Sequence, residues 1–225
     1  ILFATPSPEA ASAADEMDHY FLDKIAFIRT HTQSHLLGRL IETETEQGFL
    51  SNDELLGFCR LLLIAGNETT TGLITAAARV FHTFPETLSQ LKLKPALTPT
   101  FIEEALRFYS PFSATVRRTT TDVEIAGQII PKGDLVLPLI ASANRDESIF
   151  TQADQFDIER KPNPHLAFGF GIHFCLGAHL ARLEGEIAVQ CLAQNFSSIR
   201  LTDSESPEMY GLGGPKVLKV QLQQH

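Results

Sequence analysis

The chain of 225 residues has only three cysteines, at 59, 175 and 191, and no two of them are paired in spacing. That excludes a disulfide framework and fits a reducing compartment. Long apolar runs are missing too. The longest, Leu61 to Gly66, falls far short of the roughly 20 residues that a bilayer span requires. No signal-peptide pattern opens the chain, where Glu9, Asp15, Glu16 and Asp18 crowd instead, so it reads as cytoplasmic with no membrane contact. Basic residues are in deficit: 18 Lys and Arg against 27 Asp and Glu leave a net charge of −9, which argues against nucleic-acid binding. There are no repeats and no low-complexity segment. The first residue is Ile1 rather than Met, which points to a fragment or a processed product. What remains, 44% hydrophobic and 20% charged, is an ordinary globular composition for one large domain or two small ones.

Periodicity predicts a mainly α chain with a minor antiparallel β part. Residues 11–47 read as one or two amphipathic helices, with apolar positions at Tyr20, Ile25, Ile28, Leu36, Leu37, Leu40 and Ile41. Ser51-Asn-Asp-Glu54 is a capping box that opens a long helix running to about Thr83, before Pro85. That helix is apolar nearly all round, as befits the middle of a large protein. A shorter helix spans about Pro99 to Tyr109 and is stopped by Ser110-Pro111. Strand-like pieces follow at Thr115 to Arg118 and Val123 to Ile125, with turns at Ala126-Gly127 and Pro131-Lys-Gly133. A long loop over 162–177 leads to a helix from Ala178 to Asn195. The tail, with Pro207 and Gly211 to Pro215, reads as turn and hairpin.

Chemistry concentrates in the segment Phe168-Gly-Phe-Gly-Ile-His-Phe-Cys-Leu-Gly-Ala-His-Leu-Ala-Arg182. It sets Cys175 between a glycine-rich loop and an apolar helical pattern. Gly169 and Gly171 admit backbone angles that a side chain opposes, so the loop can fold back tightly. Gly177 lets the backbone approach a large flat partner. A helix starting near Leu176 to Ala178 would aim its positive end and free N–H groups at the sulfur, favouring a charged thiolate. Taken singly, Cys175 is either a core hydrophobe or such a sheltered thiolate. Zinc is the weaker rival for want of paired cysteines, and the Cys-x-x-Cys-His pattern of covalent haem attachment is absent. From Arg160 to Leu183 there is no acid, while Arg160, Lys161 and Arg182 are basic. This is either a positive face for an acidic electron-transfer partner or simply an apolar loop with few acids.

Two further segments stand out. In Ala65-Gly-Asn-Glu-Thr-Thr70 the small residues leave room beside the helix, and Thr69 and Thr70 can bond their own carbonyls and bend it. Glu68 there is either a functional acid or a solvated side chain at a kink. Glu104-Ala-Leu-Arg107 places an acid and a guanidinium on one helical face. As a surface pair it would be worth only tenths of a kcal/mol, but Phe101, Ile102, Ala105, Leu106 and Phe108 leave little of this helix polar.

Together these motifs, in this order over residues 65 to 182, resemble the cytochrome P-450 family of the soluble bacterial type. Phe168, Gly171, His173, Cys175 and Gly177 fall on its haem-loop pattern. The resemblance implies the family's fold without its N-terminal half, so that 1–225 is the C-terminal haem-binding portion of a single domain. Helices in 1–47 precede the central helix at 51–83. The Glu-x-x-Arg helix is 99–109, and the haem-thiolate loop and following helix are 162–195.

The resemblance also implies haem b (iron protoporphyrin IX), with Cys175 as the iron ligand and Phe168, Gly169, His173 and Gly177 shaping the loop. Ala65 and Gly66 would border the haem, while Arg117 and His173 would pair with its propionates. Arg118 would be a surface charge, and His165 and His179 structural or solvated. Thr69 would hold dioxygen and an ordered water, and Glu68 would relay protons; Asn67 has no assigned role. Glu104, Arg107, Asn144 and Arg145, with Phe156 and Arg160 downstream, would form a buried structural network. Glu147 stands where the family often has proline. Leu62, Ala65, Ser113, Thr115, Val116, Met209 and Tyr210 would face the pocket of a small apolar substrate. The implied activity is a monooxygenase using O2 and electrons from a ferredoxin- or flavodoxin-type donor. The alternatives are a truncated, non-catalytic remnant that needs a complementary N-terminal half, and a peroxide-using haem-thiolate enzyme. The Glu68-Thr69 pair argues against the latter.

Overall fold

The computed structural model describes residues 7–31, 35–45, 48–202 and 217–224, which are mostly helical with short antiparallel sheets. Two compact units divide the chain, Ile1–Asn67 and Glu68–His225.

In the first unit, α1 (Pro8–Thr30) is capped by Ser7, whose Oγ accepts the Ala10 N–H at 3.2 Å. Pro8 sits in the first turn, where a missing N–H does no harm. After α2 (Leu36–Glu42) the helix expected to reach residue 47 stops. A hairpin of β1 (Glu44–Thr45) and β2 (Gly48–Phe49) replaces it, with Gly48 at φ +104°, an angle that no helix contains. The long helix α3 (Asn52–Thr83) opens with a capping box closed in both directions. The Glu54 N–H donates to Ser51 Oγ at 3.2 Å, and the Ser51 N–H donates to Glu54 Oε2 at 2.8 Å. Ile25 and Ile28 of α1 are buried, as are Leu55, Leu56 and Cys59 of α3, and an Asp18–Arg60 ion pair joins the two helices.

The second unit holds the last turns of α3 and then α4 (Glu86–Leu93) and α5 (Thr98–Phe108). α5 takes Pro99 into its first turn and ends where Ser110 precedes Pro111, because a residue before proline is kept out of helical geometry. Next come β3 (Arg117–Arg118), β4 (Val123–Ile125), β5 (Gln128–Ile130) and β6 (Leu135–Val136), with β3 antiparallel to β6 and β4 to β5. The strand expected from Thr115 is regular only at Arg117–Arg118, although the Thr115 N–H still donates to the Pro138 carbonyl at 3.0 Å. The short α6 (Ile140–Ala143) and a long loop lead to α7 (Ala178–Asn195). β7 (Phe196–Leu201) then pairs antiparallel with β8 (Val220–Gln224). The turn expected at Pro207 and Gly211 to Pro215 lies outside the described residues.

The core of this unit is made by Leu73, Val80 and Phe81 of α3, Phe101 and Ile102 of α5, and Val189 of α7; Phe81 and Phe101 stack at 5.2 Å. Gly185 sets the approach of α7, since a Cβ there would stand 2.7 Å from Leu73 Cδ2 and 3.1 Å from Ile102 Cδ1. α7 is apolar on both sides. It buries Ala178, Val189 and Ala193, yet Leu180, Leu183 and Ile187 are exposed at helical spacing. Among the described residues no helix is long and apolar enough to cross a membrane.

Two glycine substitutions separate packing from propensity. Gly185→Ala forces overpacking of about 1–3 kcal/mol against a propensity gain of about 1 kcal/mol, so its urea midpoint falls. Gly57→Ala on α3 meets nothing within 4 Å, and its midpoint rises by the propensity gain alone.

Candidate functional site

The site is built outward from α5. Glu104 and Arg107 stand one turn apart with 0% and 1% of their surface exposed. Arg107 Nε donates to Glu104 Oε2 at 2.8 Å and Nη2 to Oε1 at 2.7 Å. The rest of the fork is used on backbone: Nη1 donates to the Asn144 and Ala153 carbonyls and Nη2 to that of Gln155, all within 2.9 Å. Glu104 also accepts from Arg160 Nε at 3.0 Å, Asn163 Nδ2 at 3.1 Å and the Asp157 N–H at 3.0 Å. Two charges so deeply desolvated are tolerated only when bonded this completely. Arg145 lies over the Phe108 ring, 3.5 Å from its centroid, and donates to the Phe108 carbonyl at 2.6 Å. Burial lowers its pKa, and the nearby Arg107 charge adds to the effect.

Asn144 carries this network to the cysteine loop. Its Nδ2 donates to Ser110 Oγ at 2.8 Å, and its Oδ1 accepts the Leu166 N–H at 2.7 Å. The loop then folds on itself: the Gly169 N–H donates to the Leu166 carbonyl at 2.8 Å and the Cys175 N–H to the Phe168 carbonyl at 2.9 Å. Gly169 at φ +73° and Gly171 at φ +69° make the reversal, in a region where side chains strain the backbone. Cys175 is half-buried, and α7 starts three residues beyond it, with Gly177 as its cap. A Cβ on Gly177 would lie 4.0 Å from the sulfur. The outer surface of the loop is apolar, with Phe170 at 85% and Ile172 at 98% exposure. A lone half-buried thiol behind an open apolar face, with no side chain crowding it from Gly177, fits a large flat group ligated through one sulfur. Among the described residues no group of three or more His, Cys, Asp or Glu is placed to share a metal ion.

The other expected site residues lie on several elements. His173, on a short 3-10 turn, and Arg117, on β3, are both exposed, and neither makes an ion pair among the described residues; Arg117 Nη1 donates to the Val116 carbonyl at 2.9 Å. Arg118 is exposed and reaches back to the Gly133 carbonyl. On α3, Ala65, Gly66 and Glu68 are exposed and Leu62 and Thr69 half-buried, and the helix continues unbroken past Thr69 and Thr70. Ser113, Thr115 and Val116 are half-buried between α5 and β3. Met209 and Tyr210 lie outside the described residues. A cleft of about 300 Å³ lined by Phe81, His82, Pro85, Leu88, Ile199 and Arg200 contains none of these residues.

Two of the three basic residues in the acid-free stretch meet carboxylates of α5. Arg160, expected in the buried network, is turned inward onto Glu104, which it shares with Arg107, and Arg182 is paired with Glu103. Sequence reasoning passed over Glu103, which accepts from Arg182 Nε at 2.6 Å and Nη2 at 2.9 Å, and from His165 Nε2 at 3.1 Å. His165 is thus structural and almost buried rather than solvated. Asn163 and Ser110 were missed as well. A signal for Glu103 did exist, because arginines in an acid-free stretch must find their carboxylates elsewhere, and α5 offers two in a row. Burial pushes the Glu103 pKa up, but the bonds from Arg182 and His165 outweigh it and hold the carboxyl at about 2, against an ordinary 4.5.

Residues 86–221 match the family model described as cytochrome P450. Cytochrome P-450 YjiB of Bacillus subtilis is 44% identical over 207 residues, covering 91% of this chain and 52% of the relative. The substrate-free structure of CYP109E1 from Bacillus megaterium superposes with a TM-score of 0.91 at 36% identity, over 100% of this chain and 62% of that one. Its complex with testosterone gives 0.87 at 38% identity, over 96% and 60%. The chain spans about half the length of the curated relatives it matches.

Arg107→Ala removes five buried hydrogen bonds and leaves Glu104 with Arg160 as its remaining charge partner, so it lowers unfolding free energy by about 3–5 kcal/mol in urea titration. Glu103 gives a pH signature. With its folded pKa depressed, its stabilisation is present above pH 4.5 and is lost as pH falls towards 2. Glu103→Gln should therefore lose stability less steeply than the parent across that window, as read by urea midpoints at successive pH values.

Proposed function

Because the chain belongs to the cytochrome P-450 family, we propose that it is the haem-thiolate portion of a monooxygenase that inserts one oxygen atom of O2 into a small apolar organic substrate. The observation that carries this reading is the Cys175 loop, a single half-buried thiol held behind an apolar face by two left-handed glycines. Cys175 would ligate the iron of haem b, with Phe168, Gly169 and Gly177 forming the seat. Arg117 and His173, both exposed and basic, would take the propionates; an arginine fork suits a carboxylate well. Once bound, the haem supplies O2 activation and one-electron chemistry, with thiolate donation favouring O–O cleavage as is general for this class.

The protein's own part is placement and proton handling. The small side chains of Ala65 and Gly66 would leave room beside α3. The Thr69 hydroxyl would hold dioxygen and a water by hydrogen bonds, and Glu68, exposed on the same helix, would pass protons inward. Leu62 and Val116, with Ser113 and Thr115 for polar contact, would line the substrate side; Met209 and Tyr210 join them on the family pattern alone. A ferredoxin- or flavodoxin-type protein would supply electrons. The testosterone complex of CYP109E1 supports a ligand class of this polarity.

A second reading has its own observation. The exposed row Leu180, Leu183 and Ile187 on α7 favours a chain that works only with a complementary polypeptide covering that row. One experiment addresses both. Haem is added to the purified chain, which is reduced and treated with carbon monoxide. The expected result is the strongly red-shifted Soret band of thiolate ligation, absent in Cys175→Ala. A band that survives Cys175→Ala overturns the ligand assignment. A band that forms only after a relative's N-terminal half is supplied selects the second reading.

A further inference from the structure

We propose that Glu103, His165 and Arg182 are positioning residues that hold the Cys175 loop in its ligating shape, acting through Phe168. The inference rests on the haem-thiolate reading of Cys175 only for the loop's purpose, not for the clamp itself.

The loop needs holding from outside. Between Gly169 and Cys175 it has one short 3-10 turn and no regular sheet or helix partner, and Phe170 and Ile172 make almost no contact with the rest of the protein. Two left-handed glycines in three residues make this stretch loose as a free chain. Besides the Asn144 tie to the Leu166 N–H, two anchors converge on one carboxylate. Ahead of the loop, His165 Nδ1 accepts the Ala167 N–H at 3.2 Å, so in the neutral ring Nε2 carries the proton and donates it to Glu103 Oε2. Beyond the loop, on α7, Arg182 grips both Glu103 oxygens in a two-point fork that fixes the plane of its guanidinium. That guanidinium lies over the Phe168 ring, 4.4 Å from its centroid. The Phe168 carbonyl, in turn, is the acceptor for the Cys175 N–H. A carboxylate on α5 therefore fixes a guanidinium, the guanidinium fixes a ring, and the ring's own backbone fixes the cysteine. Glu104, the next residue along α5, takes no part in this chain of contacts.

Arg182→Lys separates the clamp from simple charge pairing. A lysine can still pair with Glu103, but it has neither the fork nor the flat stacking face. Hydrogen exchange of the backbone amides is measured in the chain without added haem. Exchange at Cys175 and Gly169 should quicken by about tenfold, the worth of a desolvated cation–π contact, while Ala105 and Val189 in the core stay within about twofold. His165→Gln, which leaves the Arg182 fork intact, should give the same pattern more weakly. Unchanged rates at Cys175 and Gly169 overturn the proposal, and so does a rise shared equally by the core amides, since that marks a merely global contribution to stability. In haem-loaded protein, Arg182→Lys should also lower the share of the thiolate-type carbon monoxide band. A parent chain with no such band under any condition sinks the reading of Cys175, and the exchange pattern then judges the clamp alone.

Discussion

One desolvated charge pair, Glu104 with Arg107, organises the longest irregular stretch of this protein. Residues 144–177 contain almost no regular secondary structure, so their backbone carbonyls have no ladder to satisfy them. Two arginines do so instead. Arg107 binds the carbonyls of Asn144, Ala153 and Gln155, and Arg160 binds those of Thr151, Gln152 and Gln155. Arg107 is buried and Arg160 partly so because both bond to Glu104, and Glu104 can be buried only because it has four donor groups around it. Hydrophobic packing could hold α5 against α3 and α7, but it cannot pin a loop whose own polar groups lack partners.

That arrangement gives the site a firm back and an open front. Behind Cys175, Asn144 ties the loop entry to the same network, and Glu103 ties His165 to Arg182. In front, Phe170, Ile172 and Leu176 are exposed, as is the row on α7. Exposed apolar side chains in this number are costly unless something covers them. The large flat cofactor proposed for Cys175 and the complementary polypeptide of the second reading would each cover part of this surface.

Helices were legible in the sequence to within a residue or two wherever a local signal marked their ends. Ser51 and Glu54 opened α3, Pro111 closed α5, and the apolar period after Gly177 outlined α7. The family was legible because the cysteine loop is a contiguous motif whose glycines answer to backbone geometry. What could not be read was pairing across long separation. The hairpin at Gly48 replaced a predicted helix because a two-residue sheet leaves no periodic trace. Arg182 looked like surface charge because its carboxylate, Glu103, lies 79 positions away in sequence, whereas Arg160 was placed in the network only through the family resemblance. Asn163 and Ser110 give no hint of their partners, Glu104 and Asn144, until the fold brings them together.

The two adjacent glutamates show how one helix can serve two purposes without interference. Side chains at successive helical positions diverge by about 100°, so Glu103 and Glu104 face different neighbours from one rigid support. Glu104 is fully buried and bound from every side, a structural acid whose loss would unfold the region around it. Glu103 is only partly buried, with fewer partners, all of them connected to the cysteine loop. Changes at 104 therefore act on the whole fold, whereas changes at 103 can adjust the cysteine loop with most of the fold intact. If Cys175 is the ligand proposed for it, holding its sulfur in place and holding the fold together rest on separate carboxylates.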